Sequence, residues 1–310
     1  MRNLIFLIFL FDNLQVMSAQ IPDSLLIMKF DSIAGIIYSP QSDPVKLAAN
    51  DSILVMLTDF LSTPQSLTFP FDSLKFVKVV SSAGFDFRLI TWTVPLSESR
   101  HSYYGFLQKI SKGVVANVVE LKDNGGIRNT DQSYACDNWP GAVYYRMIEN
   151  KSGKVNIFTM FGWVGESSGK ACRIIETLVF KENGEPVFGW PAFQTEQGNL
   201  QNRVIFEFTD QVPFHLAYEE QLLPGKRKKH GWMIVFSRLV GNDAALGRFF
   251  QAQIPSYDTF DALIFKKDHW QFFQDIDVRA SGISSQNPQT SPKQGLFPEN
   301  QDRKSPGKRD

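Results

Sequence analysis

The segment FVKVVSSAGFDFRLITWTVPLSESRHSYYGFLQKISKGVVANVVEL, residues 76–121, decides the fold of this chain. It is rich in β-branched and aromatic residues and is interrupted at short intervals by turn clusters of Ser, Gly and Lys. This pattern predicts consecutive strands joined by hairpins. The strands are expected at Phe76–Val80, Phe87–Val94, Tyr103–Ile110 and Val114–Leu121.

The same pattern continues through the second half of the chain. Asn183-Gly184 separates two β-rich runs and is a strong hairpin signal, because both residues tolerate positive φ. Many short strands at regular spacing predict a mainly β fold (α+β), with antiparallel sheets that form a sandwich or a partly open barrel. The further strands are expected at Ala142–Ile148, Val155–Trp163, Ile174–Phe180, Pro186–Trp190, Arg203–Thr209, Phe214–Glu220, Trp232–Leu239, Phe249–Ile254, Asp261–Phe265 and Trp270–Val278.

One N-terminal amphipathic helix is predicted ahead of these strands. Ser42 or Asp43 can cap it, Pro44 suits its first turn, and Thr63-Pro64 ends it. Its apolar stripe, at helical spacing, consists of Ile53, Met56, Leu57, Phe60 and Leu61. Two short strands are expected upstream, around Leu25–Phe30 and Ile36–Tyr38.

Residues 1–19, MRNLIFLIFLFDNLQVMSA, have the pattern of an export signal. Arg2 precedes an apolar run from Leu4 to Phe11, and the small residues Ser18 and Ala19 offer a cleavage point. The run is about half of the roughly 20 residues that a membrane span needs. We therefore expect an exported protein that is periplasmic, outer-membrane-associated or secreted, with no transmembrane segment in the mature chain.

Composition divides the remainder into three parts. Residues 20–125 hold the predicted helix and the first strands, and residues 138–279 form a C-terminal antiparallel β region. A polar loop from Asn124 to Asn138 separates the two, which are either distinct or one continuous domain. Residues 280–310 are poor in large apolar side chains and predict a disordered tail.

Charge and cysteine content narrow the possible partners. The 32 Lys and Arg residues balance 32 Asp and Glu residues, which argues against nucleic acid as a partner. Export permits a disulfide between Cys136 and Cys172, the only cysteines. Their expected places on the first and third strands of a meander would hold them beyond disulfide reach, so pairing stays open.

Several blocks are familiar when they are taken together. They are LAANDSILVMLTDFL and FPFDSLKFVKVVSSAGFDFRLITWTVPL, then WPGAVYYRMI, FTMFGWVG and IIETLVFKENGEPVFG, and finally SYDTFDALIFKKDHWQFFQDIDVR. They resemble a family of exported proteins from Bacteroidetes-type bacteria with no known activity. The resemblance covers most of residues 45–279 and implies export and a β-rich fold. It implies no cofactor and no catalytic residue.

Strand carboxylates are the first candidates for chemistry. Asp275 and Asp277 lie two residues apart on a predicted strand and should project from one face, with Asp258 and Asp261 on or near the adjacent strand. Two carboxylates about 5–9 Å apart could hydrolyse a glycoside, and several could bind Ca²⁺. The simpler interpretation is a solvated strand face.

Other motifs are weaker. Gly165-Glu166-Ser167-Ser168-Gly169 matches the G-x-S-x-G pattern, but that elbow requires a helix after the Ser, and a strand is expected here. The four histidines lack metal-ligand spacing, so no metal and no cofactor are predicted. The loop Lys226-Arg227-Lys228-Lys229-His230 could hold an acidic glycan or a lipid headgroup. A sugar- or peptide-binding platform could form from Trp139, Tyr103, Tyr104, Tyr144 and Tyr145.

These observations favour an exported, non-catalytic structural or binding protein of the cell envelope. Its expected partner is an envelope protein or a glycan. The alternative is a carbohydrate- or ester-directed hydrolase that uses the strand carboxylates or Ser167. Convergence of the candidate acids and histidines in one pocket would favour the enzyme, and their dispersal would favour the binding protein.

Overall fold

The computed structural model describes residues 21–126, 128–167, 170–241 and 253–278. The predicted export signal (1–19), the predicted tail (280–310) and most of the predicted strand at 249–254 lie outside these ranges.

Two helices, α1 (Asp23–Ile37) and α2 (Asp43–Leu61), precede all the strands. The strands are β1 (Lys78–Ser81), β2 (Phe87–Pro95), β3 (His101–Ser111), β4 (Val114–Lys122), β5 (Val143–Ser152), β6 (Val155–Ser167), β7 (Lys170–Phe180), β8 (Pro186–Phe188), β9 (Phe193–Gln194), β10 (Leu200–Gln201), β11 (Arg203–Thr209), β12 (Leu216–Leu222), β13 (His230–Val240), β14 (Ile254–Lys266) and β15 (His269–Ile276).

The helix α1 corrects the prediction of a single helix with short strands upstream. Its buried positions are Leu26, Phe30, Ala34 and Ile37, which recur at helical spacing and pack in one cluster with α2. In the strand expected around Leu25–Phe30, the buried residues are Leu26 and Phe30, which are four positions apart as on one face of a helix. Tertiary packing against α2 therefore decides the helix.

The helix α2 follows its prediction closely. It begins at Asp43 after Ser42, has Pro44 in its first turn and ends at Leu61, before Thr63-Pro64. Ser42 occupies the N-cap position without a side-chain capping hydrogen bond. Neither helix, nor any other in the described residues, is long and apolar enough to cross a membrane.

Three sheets confirm the mainly β, antiparallel class. The first sheet has the order β1-β2-β3-β4, the second β11-β7-β6-β5 with β8 beside β7, and the third β10-β9-β15-β14-β13-β12. All pairs are antiparallel except the short parallel contact between β9 and β15. No sheet closes into a barrel within the described ranges.

The helices and sheets stack in four layers. One face of the first sheet packs on the helices through residues such as Trp92 and Phe106, and its other face packs on the second sheet. The second sheet packs in turn on the third, where Phe161 and Trp270 share a cluster. The strand β2 lies between two layers and is buried over eight consecutive residues. This position explains why its sequence shows no polar alternation.

A buried ion pair anchors the polar loop between the predicted halves. Arg203 Nε donates to Glu176 Oε1 over 2.7 Å, and both side chains are 0% exposed. Arg203 also donates to the carbonyl oxygens of Asn129 and Gln132, the latter at 2.7 Å. Since Asn129 and Gln132 belong to this loop, the pair fixes the loop to the second sheet.

A second buried network fixes the end of α2 to the first sheet. Arg88 donates from Nε to Gln108 Oε1 at 2.6 Å and from Nη2 to the Ser66 carbonyl at 2.6 Å. Gln108 Nε2 donates to the carbonyl of Leu61, the last residue of α2, at 2.6 Å. Burial lowers the pKa of the Arg88 guanidinium to about 10.

Candidate functional site

The candidate carboxylates Asp261 and Asp275 meet at one arginine. Arg238 Nη2 lies 2.8 Å from Asp275 Oδ1, and Arg238 Nε lies 3.1 Å from Asp261 Oδ2. Hydrogen bonds to Asp261, followed by its charge, raise the pKa of Arg238 above its ordinary value. Both carboxylates are therefore held in ion pairs with the same guanidinium.

A bulge separates Asp275 from the regular strand. The pairing of β14 with β15 shifts between Phe260 and Ala262, and Asp275 has a φ of 57°. Its backbone N–H donates to Asp261 Oδ1 at 3.1 Å. Because Asp277 lies beyond the end of β15, simple strand alternation does not relate it to Asp275.

Other acidic residues have partners of their own. Asp258 is exposed and accepts a hydrogen bond from Ser256 Oγ at 3.0 Å. On the edge strand β12, Glu219 Oε1 lies 3.5 Å from Nε2 of His215, the residue before that strand. Across the described residues, no group of three or more His, Cys, Asp or Glu side chains is placed to hold a metal ion.

The G-x-S-x-G segment lies at a strand-to-strand connection. The strand β6 ends at Ser167, and β7 begins at Lys170. A nucleophile elbow needs a strand followed by a helix, so this connection lacks the required geometry.

The predicted aromatic platform does not form. Trp139, Tyr103 and Tyr144 are buried in the core between the first and second sheets. Tyr104 and Tyr145 are half-buried, and Tyr104 stacks on Trp92 beneath the helices. These five rings serve packing, because adjacent positions on each strand face different layers.

Cys136 and Cys172 are both free thiols, which answers the open question of their pairing. Cys136 lies in a short 3-10 turn before β5, and Cys172 lies on β7. Burial is the main cause that raises the pKa of each thiol to about 11.

A polar cleft between the first and second sheets is a candidate site, and we call it the inter-sheet cleft. It has a volume of about 610 Å³. Its charged and aromatic lining residues are Arg100, His101, Tyr103, Asp123, Arg128, Lys170 and Glu207. The cleft also borders Cys172 and the glycines 125, 126 and 165.

Asp123 organises one wall of the inter-sheet cleft. Its Oδ2 accepts the backbone N–H of Tyr103 at 3.0 Å, and its Oδ1 accepts the N–H groups of Gly125 and Gly126 at 3.0 and 3.3 Å. The last two bonds form an Asx turn directly after β4. This wall is fixed by bonds within the protein and needs no ligand to order it.

Arg128 lies beside the same turn. Its Nη2 donates to the Gly141 carbonyl at 2.7 Å, and its Nη1 donates to the Gly126 carbonyl at 3.0 Å. Its guanidinium carbon stands 5.2 Å from the centre of the Tyr103 ring. The backbone carbonyls and the Tyr103 ring face thus fix the positively charged Arg128 guanidinium on the cleft wall, and none of these groups carries a negative charge.

Gly165 lets His101 approach the backbone at the opposite wall. Its φ is 95°, and a Cβ at this position would lie 2.8 Å from His101 Cδ2 and 3.0 Å from Tyr103 Oη. The His101 ring packs edge-on against Trp163 with centroids 5.1 Å apart. Only glycine fits at position 165 without displacing these rings.

The rim of the inter-sheet cleft carries exposed charges. Lys170 and Glu207 are both exposed and lie on the paired strands β7 and β11, where Glu207 faces Cys172 and Thr209 faces Lys170. Arg100 lies 3.3 Å from Asp43. Because the raised pKa of Cys172 keeps its thiol protonated at neutral pH, the cleft offers binding groups but no thiolate nucleophile.

Sequence reasoning missed most of these residues. The run Asp123-Asn124-Gly125-Gly126 does indicate an Asx turn and could have marked the wall. The convergence of Lys170 and Glu207 with His101 depends on strand register and sheet packing, which no local pattern contains.

Comparisons with protein-family models, curated proteins and solved structures find no match for this chain.

Proposed function

We propose that this chain is an exported, non-catalytic binding protein of the cell envelope, and that the inter-sheet cleft is its ligand site. The observation that carries the proposal is the convergence of fixed and exposed polar groups in a cleft of about 610 Å³. Small-molecule sites commonly have volumes of about 300–1,000 Å³ with a few placed polar groups. The hydrolase alternative gains no support from the carboxylates, because Asp261 and Asp275 are both held in ion pairs with Arg238.

The charge of the cleft favours an acidic glycan fragment. Arg100, Arg128 and Lys170 bring three positive charges against the two negative charges of Asp123 and Glu207, and the Asp123 carboxylate is already occupied by three backbone N–H groups. A uronic acid has a carboxylate for the cations and hydroxyl groups that can donate to Glu207. The binding site is therefore proposed to take one or two sugar units that include a uronic acid.

Lys170→Glu tests this assignment. We expect the variant to bind a galacturonate disaccharide at least about tenfold more weakly than the unsubstituted protein, a loss of roughly 1.4 kcal/mol. Titration calorimetry measures the affinity, and a neutral disaccharide should bind weakly to both proteins. Lys154 is exposed and lies just before β6, at the end of that strand away from Lys170. Lys154→Glu is therefore the matched control and should leave binding unchanged.

Two results would overturn the ligand assignment. One is that neither acidic nor neutral saccharides bind the unsubstituted protein. The other is that Lys170→Glu and Lys154→Glu weaken binding equally. Release of new reducing ends from an acidic oligosaccharide would instead favour the hydrolase.

Export has its own test. We expect the mature protein, purified from its natural envelope fraction, to lack residues 1–19 when its intact mass is measured, because Ser18-Ala19 fits a signal-peptidase site. A cytosolic product that retains Met1 or Arg2 would contradict export without bearing on the cleft.

A further inference from the structure

The hairpin between β12 and β13 presents a dense positive charge. Residues 224–230, which we call the basic tip, are all exposed. They include Lys226, Arg227, Lys228 and Lys229, and the sequence contains no Asp or Glu between Glu220 and Asp243. Within the described residues, none of these four side chains forms a salt bridge. Their charge therefore faces solvent without neutralisation by a neighbour.

An exposed indole lies at the base of the basic tip. Trp232 is 54% exposed and lies two residues after His230 on β13. Its ring lies 5.0 Å from the ring of Tyr218 on β12, and Arg146 from the second sheet donates to the Tyr218 carbonyl at 3.0 Å. These contacts hold the indole on a rigid strand. Since residues two apart on a strand share a face, the indole lies on the same face of β13 as His230, about 7 Å along the strand from the end of the tip.

We propose that the basic tip and Trp232 form a docking surface for an anionic lipid bilayer. Clustered Lys and Arg residues are attracted to anionic headgroups, and tryptophan prefers the headgroup region of a membrane. The basic tip consists of seven consecutive exposed residues at the turn of a hairpin. Such an exposed turn can meet an extended flat surface, whereas a glycan fragment is held in a cleft such as the inter-sheet cleft. Docking here would hold the protein at the membrane and leave the cleft independent.

Vesicle co-sedimentation tests the docking surface with the full chain. We expect the protein to bind vesicles of equal parts phosphatidylglycerol and phosphatidylcholine, and not vesicles of phosphatidylcholine alone. Added salt should release the protein, because the attraction is electrostatic. Lys228→Gln with Lys229→Gln should weaken binding by about 25-fold, since each cation near the surface contributes roughly fivefold.

Two further variants sharpen the test. Trp232→Ala should weaken binding while the charge of the tip is unchanged, and Lys154→Glu should bind like the unsubstituted protein. Lys170→Glu should also retain vesicle binding, so a failure of the cleft assignment and a failure of the docking surface are distinguishable. Binding that ignores lipid charge, or that survives the double substitution, would overturn the proposal. Binding to soluble polygalacturonate that depends on the tip and exceeds vesicle binding would assign the surface to a glycan instead.

Discussion

Glu176→Gln is expected to lower the free energy of unfolding by about 3–5 kcal/mol, because it leaves Arg203 as an uncompensated buried cation. The two side chains are 0% exposed and are joined at 2.7 Å. Glutamine has nearly the same side-chain volume as glutamate, so the substitution opens no cavity. The loss of unfolding free energy therefore reflects the lost charge and hydrogen bonding. It is the largest effect we expect from a change of so few atoms.

A second donor to Glu176 increases the loss of stability expected from its substitution. Tyr144 donates to Glu176 Oε2 and accepts from Trp139 Nε1 at 3.1 Å. Burial, followed by the charge of Glu176, raises the pKa of Tyr144 well above its ordinary value. The carboxylate is thus an acceptor for two donors at once, and a glutamine amide supplies one acceptor oxygen.

Urea unfolding followed by circular dichroism measures the effect. Lys181→Ala is the matched control, because Lys181 and Glu185 form an ion pair at 3.0 Å with about half of each side chain exposed. That pair should contribute at most about 1 kcal/mol. Equal losses in the two variants would contradict a stabilising role for the buried pair.

Local sequence signals were sufficient where one element carries its own pattern. Pro44, the apolar stripe and Thr63-Pro64 located α2, and Asn183-Gly184 located the hairpin between β7 and β8, where Gly184 has a φ of 79°. Each signal depends on neighbours within a few residues. The same reasoning failed for α1, because the continuous apolar run Leu25–Met28 has no periodicity that separates a helix from a strand. Only packing selects the helix.

The candidate site depended on information that the sequence distributes widely. Strand alternation placed Asp275 and Asp277 on one face, but a bulge at Asp275 interrupts the alternation. Its positive φ is offset by a hydrogen bond to Asp261 and an ion pair with Arg238, which lies 37 positions earlier in the chain. Similarly, no pattern local to β11 indicates that Arg203, which is 0% exposed, lies in the interior. A third layer makes both faces of a strand interior, and no single strand can reveal that.

Two tryptophans of the third sheet offer the second large contrast. We expect Trp270→Ala to lower the free energy of unfolding by about 3–5 kcal/mol, the usual range for removing a buried aromatic side chain. Trp270 is 0% exposed, packs between the second and third sheets, and donates from Nε1 to Thr159 Oγ1 at 2.9 Å. The substitution would open a cavity at the junction of two layers and remove the bond that crosses it.

Trp232→Ala is the matched control on the same sheet. Its side chain is 54% exposed, so the expected change in unfolding free energy is within about 0.5–1 kcal/mol. Trp270→Phe should fall between the two, because it keeps most of the volume and removes the donor to Thr159. Urea unfolding at one pH measures all three. Equal stability of the Trp270→Ala and Trp232→Ala proteins would mean that the second and third sheets do not share a stabilising core, and the four-layer stack would then lose its physical basis.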